Sequence, residues 1–161
     1  SALDPDGRAS FEANATAVQQ RYAALKNELR GLVDNLPQSR RVLVTAHDAF
    51  QYFGAAFGFD VEAIQGLSTE VEAETDDRNR VVDFLVARQI PAIFVEASVQ
   101  DQAVQSVIEQ ARQRSEGSLE VRLGGTLFSD TLGPVGSDAG SYAGMMRHNV
   151  RTVVEALSST D

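Results

Sequence analysis

The chain has 161 residues, 43% of them hydrophobic and 23% charged, with a formal net charge of −9 and no cysteine. That length fits one domain with a real core. The acidic balance and the lack of any Lys/Arg cluster exclude a nucleic-acid footprint. Without cysteine there are no disulfides and no thiolate metal sites, and the redox compartment stays open.

No signal peptide and no apolar run of about 18 residues appears, so the chain as given carries no membrane span. Its start, SALDPDG, lacks an initiator Met and reads as a cut or processed end. Asp4-Pro5 is a helix-start signal, with Asp4 as N-cap and Pro5 at the first helical position. Phe11, Val18, Tyr22, Leu25, Leu29, Leu32 and Leu36 then fall on one stripe. They predict a helix of about 30 residues, roughly 45 Å long, ended by Pro37. Two readings of this length stay open. It is a coiled-coil arm or long packing helix, or it runs past this domain to brace another.

Val42, Leu43 and Val44 predict a buried strand. A helix from Ala49 follows, carrying Phe50, Phe53 and Phe57 and closing on Gly58. His47 falls at the junction, with Asp48 placed as the helix N-cap. Val61 to Ile64 form a second strand, and Gly66 to Thr69 a loop. Residues 70–77, EVEAETDD, hold five carboxylates, which a solvated charged loop explains better than a metal site. Asp76 or Asp77 caps the next helix, with Val81, Val82, Leu85 and Val86 inward.

Pro91 turns into a third strand at 92–95, and Glu96 follows at its carboxyl end. Val99, Val104, Val107, Ile108 and Ala111 pattern another helix, with Gly117 after it. Leu119, Val121 and Leu123 alternate as a fourth strand, half-buried or at an edge. Residues 124–142 hold five glycines and a proline and read as a loop containing Asp130. A helix over 141–157 closes the chain, with Tyr142, Met145, Met146, Val150, Val153, Val154 and Leu157 inward. His148 reads as a surface or boundary histidine.

The order is a long helix, then β-α-β-α-β-α-β-loop-α. It predicts an α/β fold with a four-stranded, mainly parallel sheet flanked by helices. The domain division is a long backbone helix at 1–37 and an α/β lobe at 38–161. Right-handed crossovers bring the carboxyl ends of the strands to one edge, where His47, Glu96 and Asp130 converge. Imidazole plus carboxylate suits Zn(II), Mn(II) or Fe(II). His47 and Asp130 are the two best ligands and Glu96 a ligand or supporting acid, which makes a weak, open site. Ser129-Asp130 with His47 also spells a Ser-His-Asp set, without a nucleophile elbow or oxyanion motif. A metal-assisted or serine-dependent hydrolase on a flavodoxin-like sheet therefore stays open. So does a metal-free interaction domain that docks through its long helix.

Five segments in register, TAHDAFQYFGAAFGFD, GLSTEVEAET, IPAIFVEASV, LFSDTLGP and GSYAGMMRHNVRTVVEAL, resemble one family over nearly the whole chain. It is the carboxyl-terminal half of the metal-binding ABC-transporter solute-binding proteins, the zinc, manganese and iron receptors that are often lipoproteins and sometimes called adhesins. The resemblance implies one lobe of a two-lobed receptor, with the stripe at 8–36 as the rigid interlobe helix. His47 inherits a ligand role from TAHDAF and Asp130 another from FSD. Glu96 in FVEASV matches an acid near the cleft that acts indirectly or from behind a ligand. Histidine at the first position leans towards zinc, and glutamate there is common in manganese receptors.

The family's amino-terminal lobe, with two further histidines, has no counterpart in this sequence. The resemblance therefore implies half a site, with weak metal binding and a lobe-facing surface that allows a homodimer. It also implies a transported divalent metal (zinc first, manganese or iron otherwise), an ABC permease partner, a missing amino-terminal lobe and no catalysis. The implied location is periplasmic or extracellular, soluble or membrane-anchored.

Overall fold

Strand β1 (Val42–His47) is buried at every position. A strand buried on both faces belongs inside a parallel sheet covered by helices on each side. The computed structural model describes residues 4, 6–66, 75–99 and 102–158 and has that arrangement. β1 pairs in parallel with β2 (Asp60–Gln65) on one side and β3 (Ala92–Glu96) on the other, and β4 (Arg122–Leu127) lies beyond β3. The order is β2-β1-β3-β4. The chain leaves β1 in one direction and returns to β3 in the other, so the topological switch lies between these two strands.

Alternation along the strands sorts the core into two faces. Val42, Val44, Ala46, Ile93 and Val95 pack with helices α3 (Thr75–Arg88) and α4 (Gln102–Arg114). Leu43, Ala92, Phe94 and Leu127 pack on the opposite face. There they meet α2 (Gln51–Phe57), α5 (Tyr142–Ser158) and the carboxyl-terminal half of α1 (Arg8–Val33). His47 and Glu96 share the parity of this second set.

α1 has 26 residues, about 39 Å, and begins at Arg8 rather than at Asp4-Pro5. Asp4 instead accepts the Gly7 N–H at 3.0 Å, holding a turn ahead of the helix. The predicted stripe divides in two. Leu25 and Leu29 are buried, whereas Phe11, Val18 and Tyr22 are 51%, 43% and 47% exposed, and of these Tyr22 meets only the edge of α5. Arg147 on α5 grips Glu28 with two bonds of 2.7 Å and ties the buried half of α1 to the lobe.

Asp48 is not the cap of α2; that position belongs to Phe50, and the Asp48 carboxylate takes the Gln51 side chain at 2.8 Å. Gly58 closes α2 in the left-handed region at φ 77°, as the sequence predicts. Asp76 and Asp77 lie inside the first turn of α3, where they face the positive end of the helix dipole instead of capping it. Residues 67–74, with most of the acidic loop, lie outside the described residues.

The fourth strand begins at Arg122, so it runs through Gly124-Gly125, not through Leu119. A β-carbon on Gly124 would stand 2.5 Å from the Phe94 ring, and Gly125 has φ 132° beside Thr152 of α5. The two glycines let this edge strand take a bulge and lie tightly between Phe94 and α5. Tyr142 is exposed instead of inward and stands edge-on to Tyr22 at 5.2 Å.

Candidate functional site

His47 is the last residue of β1 and Glu96 the last of β3, on adjacent strands at the switch point. Open α/β sheets bind ligands in the crevice at that place. The register Thr45–Phe94 sets the two side chains on the same face. Glu96 is fully buried and His47 is 2% exposed. The Glu96 carboxylate does not lack partners: its oxygens accept the backbone N–H groups of Ala46 and His47, both at 3.2 Å. Burial pushes this carboxyl up to about 6, against the opposing pull of the His47 and Ala46 N–H groups and of the His47 ring.

The His47 ring lies between two carboxylates. Nδ1 is 3.2 Å from Glu96 Oε1, off the line of the ring N–H, so the pair is close without forming a hydrogen bond. Nε2 is 3.2 Å from Asp130 Oδ2. Asp130 is 59% exposed, so the arrangement opens to solvent on the Asp130 side and is closed on the Glu96 side. All three residues singled out in the sequence meet here. Among the described residues, no group of three or more His, Cys, Asp or Glu side chains is disposed to hold a metal ion. Two facing donors and one acid behind the ring make at most half a coordination shell.

Asp130 reaches His47 from a loop. β4 ends at Leu127, whose carbonyl accepts the Ala97 N–H at 2.9 Å, and pairing with β3 stops there. One residue on, Asn149 of α5 takes over: its Oδ1 accepts the Phe128 N–H at 3.0 Å and its Nδ2 donates to the Phe128 carbonyl at 2.7 Å. His148 Nε2 lies 2.9 Å from the Thr126 carbonyl and donates to it, since a carbonyl only accepts. The boundary role read for His148 is thus an anchor on the edge strand. Ser129 Oγ is buried without a hydrogen bond, so Ser129 and His47 are not joined as a nucleophile and its base.

Asn149 is the residue that sequence reasoning misses. Met145, Asn149 and Val153 stand four residues apart on the inward face of α5, and a polar residue in an apolar stripe is the signal that marks it.

The family described as ZnuA, zinc-uptake complex component A, periplasmic, matches residues 1–156. The chain belongs to this family. It is 40% identical over 153 residues to the manganese-binding lipoprotein MntA of Bacillus subtilis, covering 95% of this chain and 49% of that one. It is 40% identical over 156 residues to the zinc-binding protein TroA of Treponema pallidum, covering 97% of this chain and 50% of TroA. The solved structure of the periplasmic zinc-binding protein TroA superposes with a TM-score of 0.87 at 41% identity, over 96% of this chain and 55% of that one. The chain spans about half the length of the curated relatives it matches. The parallel sheet and its flanking helices are therefore one lobe's worth of this family's fold.

Proposed function

We propose that this chain is the metal-carrying carboxyl-terminal lobe of an extracytoplasmic solute-binding component of an ABC transporter, and that His47 Nε2 and Asp130 are two ligands of its cargo, a divalent cation. The observation that carries the reading is the 3.2 Å separation of His47 Nε2 and Asp130 Oδ2 at the switch point of the sheet. Two donors bound at about 2.0–2.1 Å with a tetrahedral angle between them stand about 3.3 Å apart. Glu96 is not a ligand in this reading. It faces the other ring nitrogen, the place where metal-bound histidines keep a carboxylate that fixes tautomer and ring orientation. An imidazole and a carboxylate favour zinc and also accept manganese or iron, and the names of the relatives include both zinc and manganese.

The remaining ligands come from a second lobe, in the half of the relatives to which this chain does not align. Residues 1–37 serve as the interlobe helix and 38–161 as the lobe, a division supported by the exposed Phe11, Val18 and Tyr22. The partner that receives the metal is an ABC permease, and the setting is periplasmic or lipoprotein-anchored, as the relatives' names say of them. The chain performs no catalysis of its own; the unbonded Ser129 Oγ speaks against a Ser-His-Asp site.

Calorimetric titration of Zn(II) and Mn(II) tests the ligand set. Weak binding is expected for the wild-type chain, because two ligands leave the ion open to water. Binding is lost in His47→Ala and in Asp130→Ala and kept in His148→Ala. Undiminished binding in either of the first two variants would remove that residue from the site.

A further inference from the structure

We propose that Asn149 is a positioning residue that holds Asp130 within reach of His47 by clamping both backbone groups of Phe128. The inference rests on the reading of Asp130 as a ligand and adds what places it there. Three observations support it.

Strand pairing ends before the loop is set. The β3–β4 ladder stops at Leu127, and Asp130 stands three residues further on, with 59% of its side chain in solvent. A carboxylate so exposed is not held by packing. Some fixed element has to define the direction of the chain after Leu127.

Asn149 is that element. It is 1% exposed, next to the fully buried Val150 and one turn before the fully buried Val153. Its amide meets Phe128 as a neighbouring strand would, accepting the N–H and donating to the carbonyl. The second hydrogen of Nδ2 points towards Met145 Sδ at 3.3 Å. A primary amide is the side chain that offers donor and acceptor side by side at this spacing, and buried inside the fold it has a fixed rotamer.

The burial is costly unless it is used. A buried amide is tolerated only when its hydrogen bonds are made, and an apolar residue at 149 would continue the stripe of Met145 and Val153. The amide gives its two oxygen-to-nitrogen hydrogen bonds to the residue that links the end of the sheet to the Ser129-Asp130 loop. Residues that hydrogen-bond metal ligands from behind change affinity by about 10- to 100-fold when altered, and Asn149 acts one step further back, through the Phe128 backbone.

The test uses the fact that the chain has only two histidines, so the His47 ring nitrogens can be followed by nitrogen-15 NMR without metal. Asn149→Ala should move the His47 Nε2 resonance towards its position in Asp130→Ala. Asn149→Asp, which keeps the shape and the acceptor for the Phe128 N–H, should move it less. Val153→Ala, a core truncation one turn along α5, should leave it in place, which separates lost positioning from lost stability. With Zn(II) added, Asn149→Ala should weaken binding by about 10- to 100-fold and Val153→Ala should not. If Asn149→Ala leaves both the His47 resonance and the zinc affinity as in wild type, or if Val153→Ala changes them as much, Asn149 positions nothing. If Asp130→Ala leaves zinc binding intact, the ligand reading fails. Loss of the ligand reading alone is recognised because the His47 resonance still follows Asn149.

Discussion

The two sides of the site are built in opposite ways. His47 ends a central strand that is buried along its whole length, and its ring backs onto a carboxylate with no exposed surface. Asp130 stands beyond the end of an edge strand, more than half in solvent, two residues after the Phe128 backbone that Asn149 of α5 holds. The sheet fixes the His47 ring as part of its core. The Asp130 carboxylate is set from a loop beyond the sheet, so one side of the pair belongs to the core and the other does not.

Perturbing the buried side should cost stability, and perturbing the exposed side should cost only binding. The largest effect is expected from Glu96→Ala. It leaves the Ala46 and His47 N–H groups buried without acceptors, and urea unfolding should register a loss of about 2–5 kcal/mol. A loss below 1 kcal/mol would mean that Glu96 does not organise the strand ends.

Glu96→Gln is a finer probe. It keeps the shape but changes what the ring faces, and zinc affinity should fall by about 10- to 100-fold, or 1.4–2.7 kcal/mol, as read by calorimetry. An unchanged affinity would detach Glu96 from the site.

The pH dependence of stability has a definite sign. A carboxyl raised to about 6 in the fold keeps its proton longer than the same group in the unfolded chain, which releases it near 4.5. Its contribution is therefore complete below pH 4.5 and is lost as pH rises through 6, by about 2 kcal/mol. Urea midpoints measured at pH 5 and pH 7 should show this component in wild type and not in Glu96→Gln. Equal pH slopes in the two proteins would contradict the assignment.

The smallest expected change is the stability of Asp130→Ala. Removing an exposed carboxylate should shift unfolding by no more than about 0.5 kcal/mol, although metal binding is lost. A drop as large as that of Glu96→Ala would erase the contrast between the two sides.

Much of this contrast was legible in the residues themselves. Val42-Leu43-Val44 and Ala92-Ile93-Phe94-Val95 mark buried strands because a continuous apolar run suits only a sheet covered on both faces. Their carboxyl ends then put His47 and Glu96 together. What was not legible depends on contacts distant in sequence. Gly124-Gly125 look like loop residues until Phe94 and Thr152 press on them from both sides. Asp48 satisfies the composition rule for an N-cap, yet the turn after His47 extends two residues further and hands that position to Phe50. Asn149 looks like an interruption of the α5 stripe until the end of the β3–β4 ladder supplies its partner. The exposed half of α1 looks identical to the buried half in periodicity, because a pattern fixes a face and not what covers it.

The central claim is that His47 and Asp130 bind one ion together. X-ray absorption at the zinc edge, on the loaded wild-type chain and on His47→Ala, tests it most directly. The account predicts a single imidazole nitrogen at about 2.0–2.1 Å with oxygens completing the shell. That nitrogen should disappear from any zinc still bound by the variant. Two imidazoles in wild type, or an imidazole that persists without His47, would contradict it.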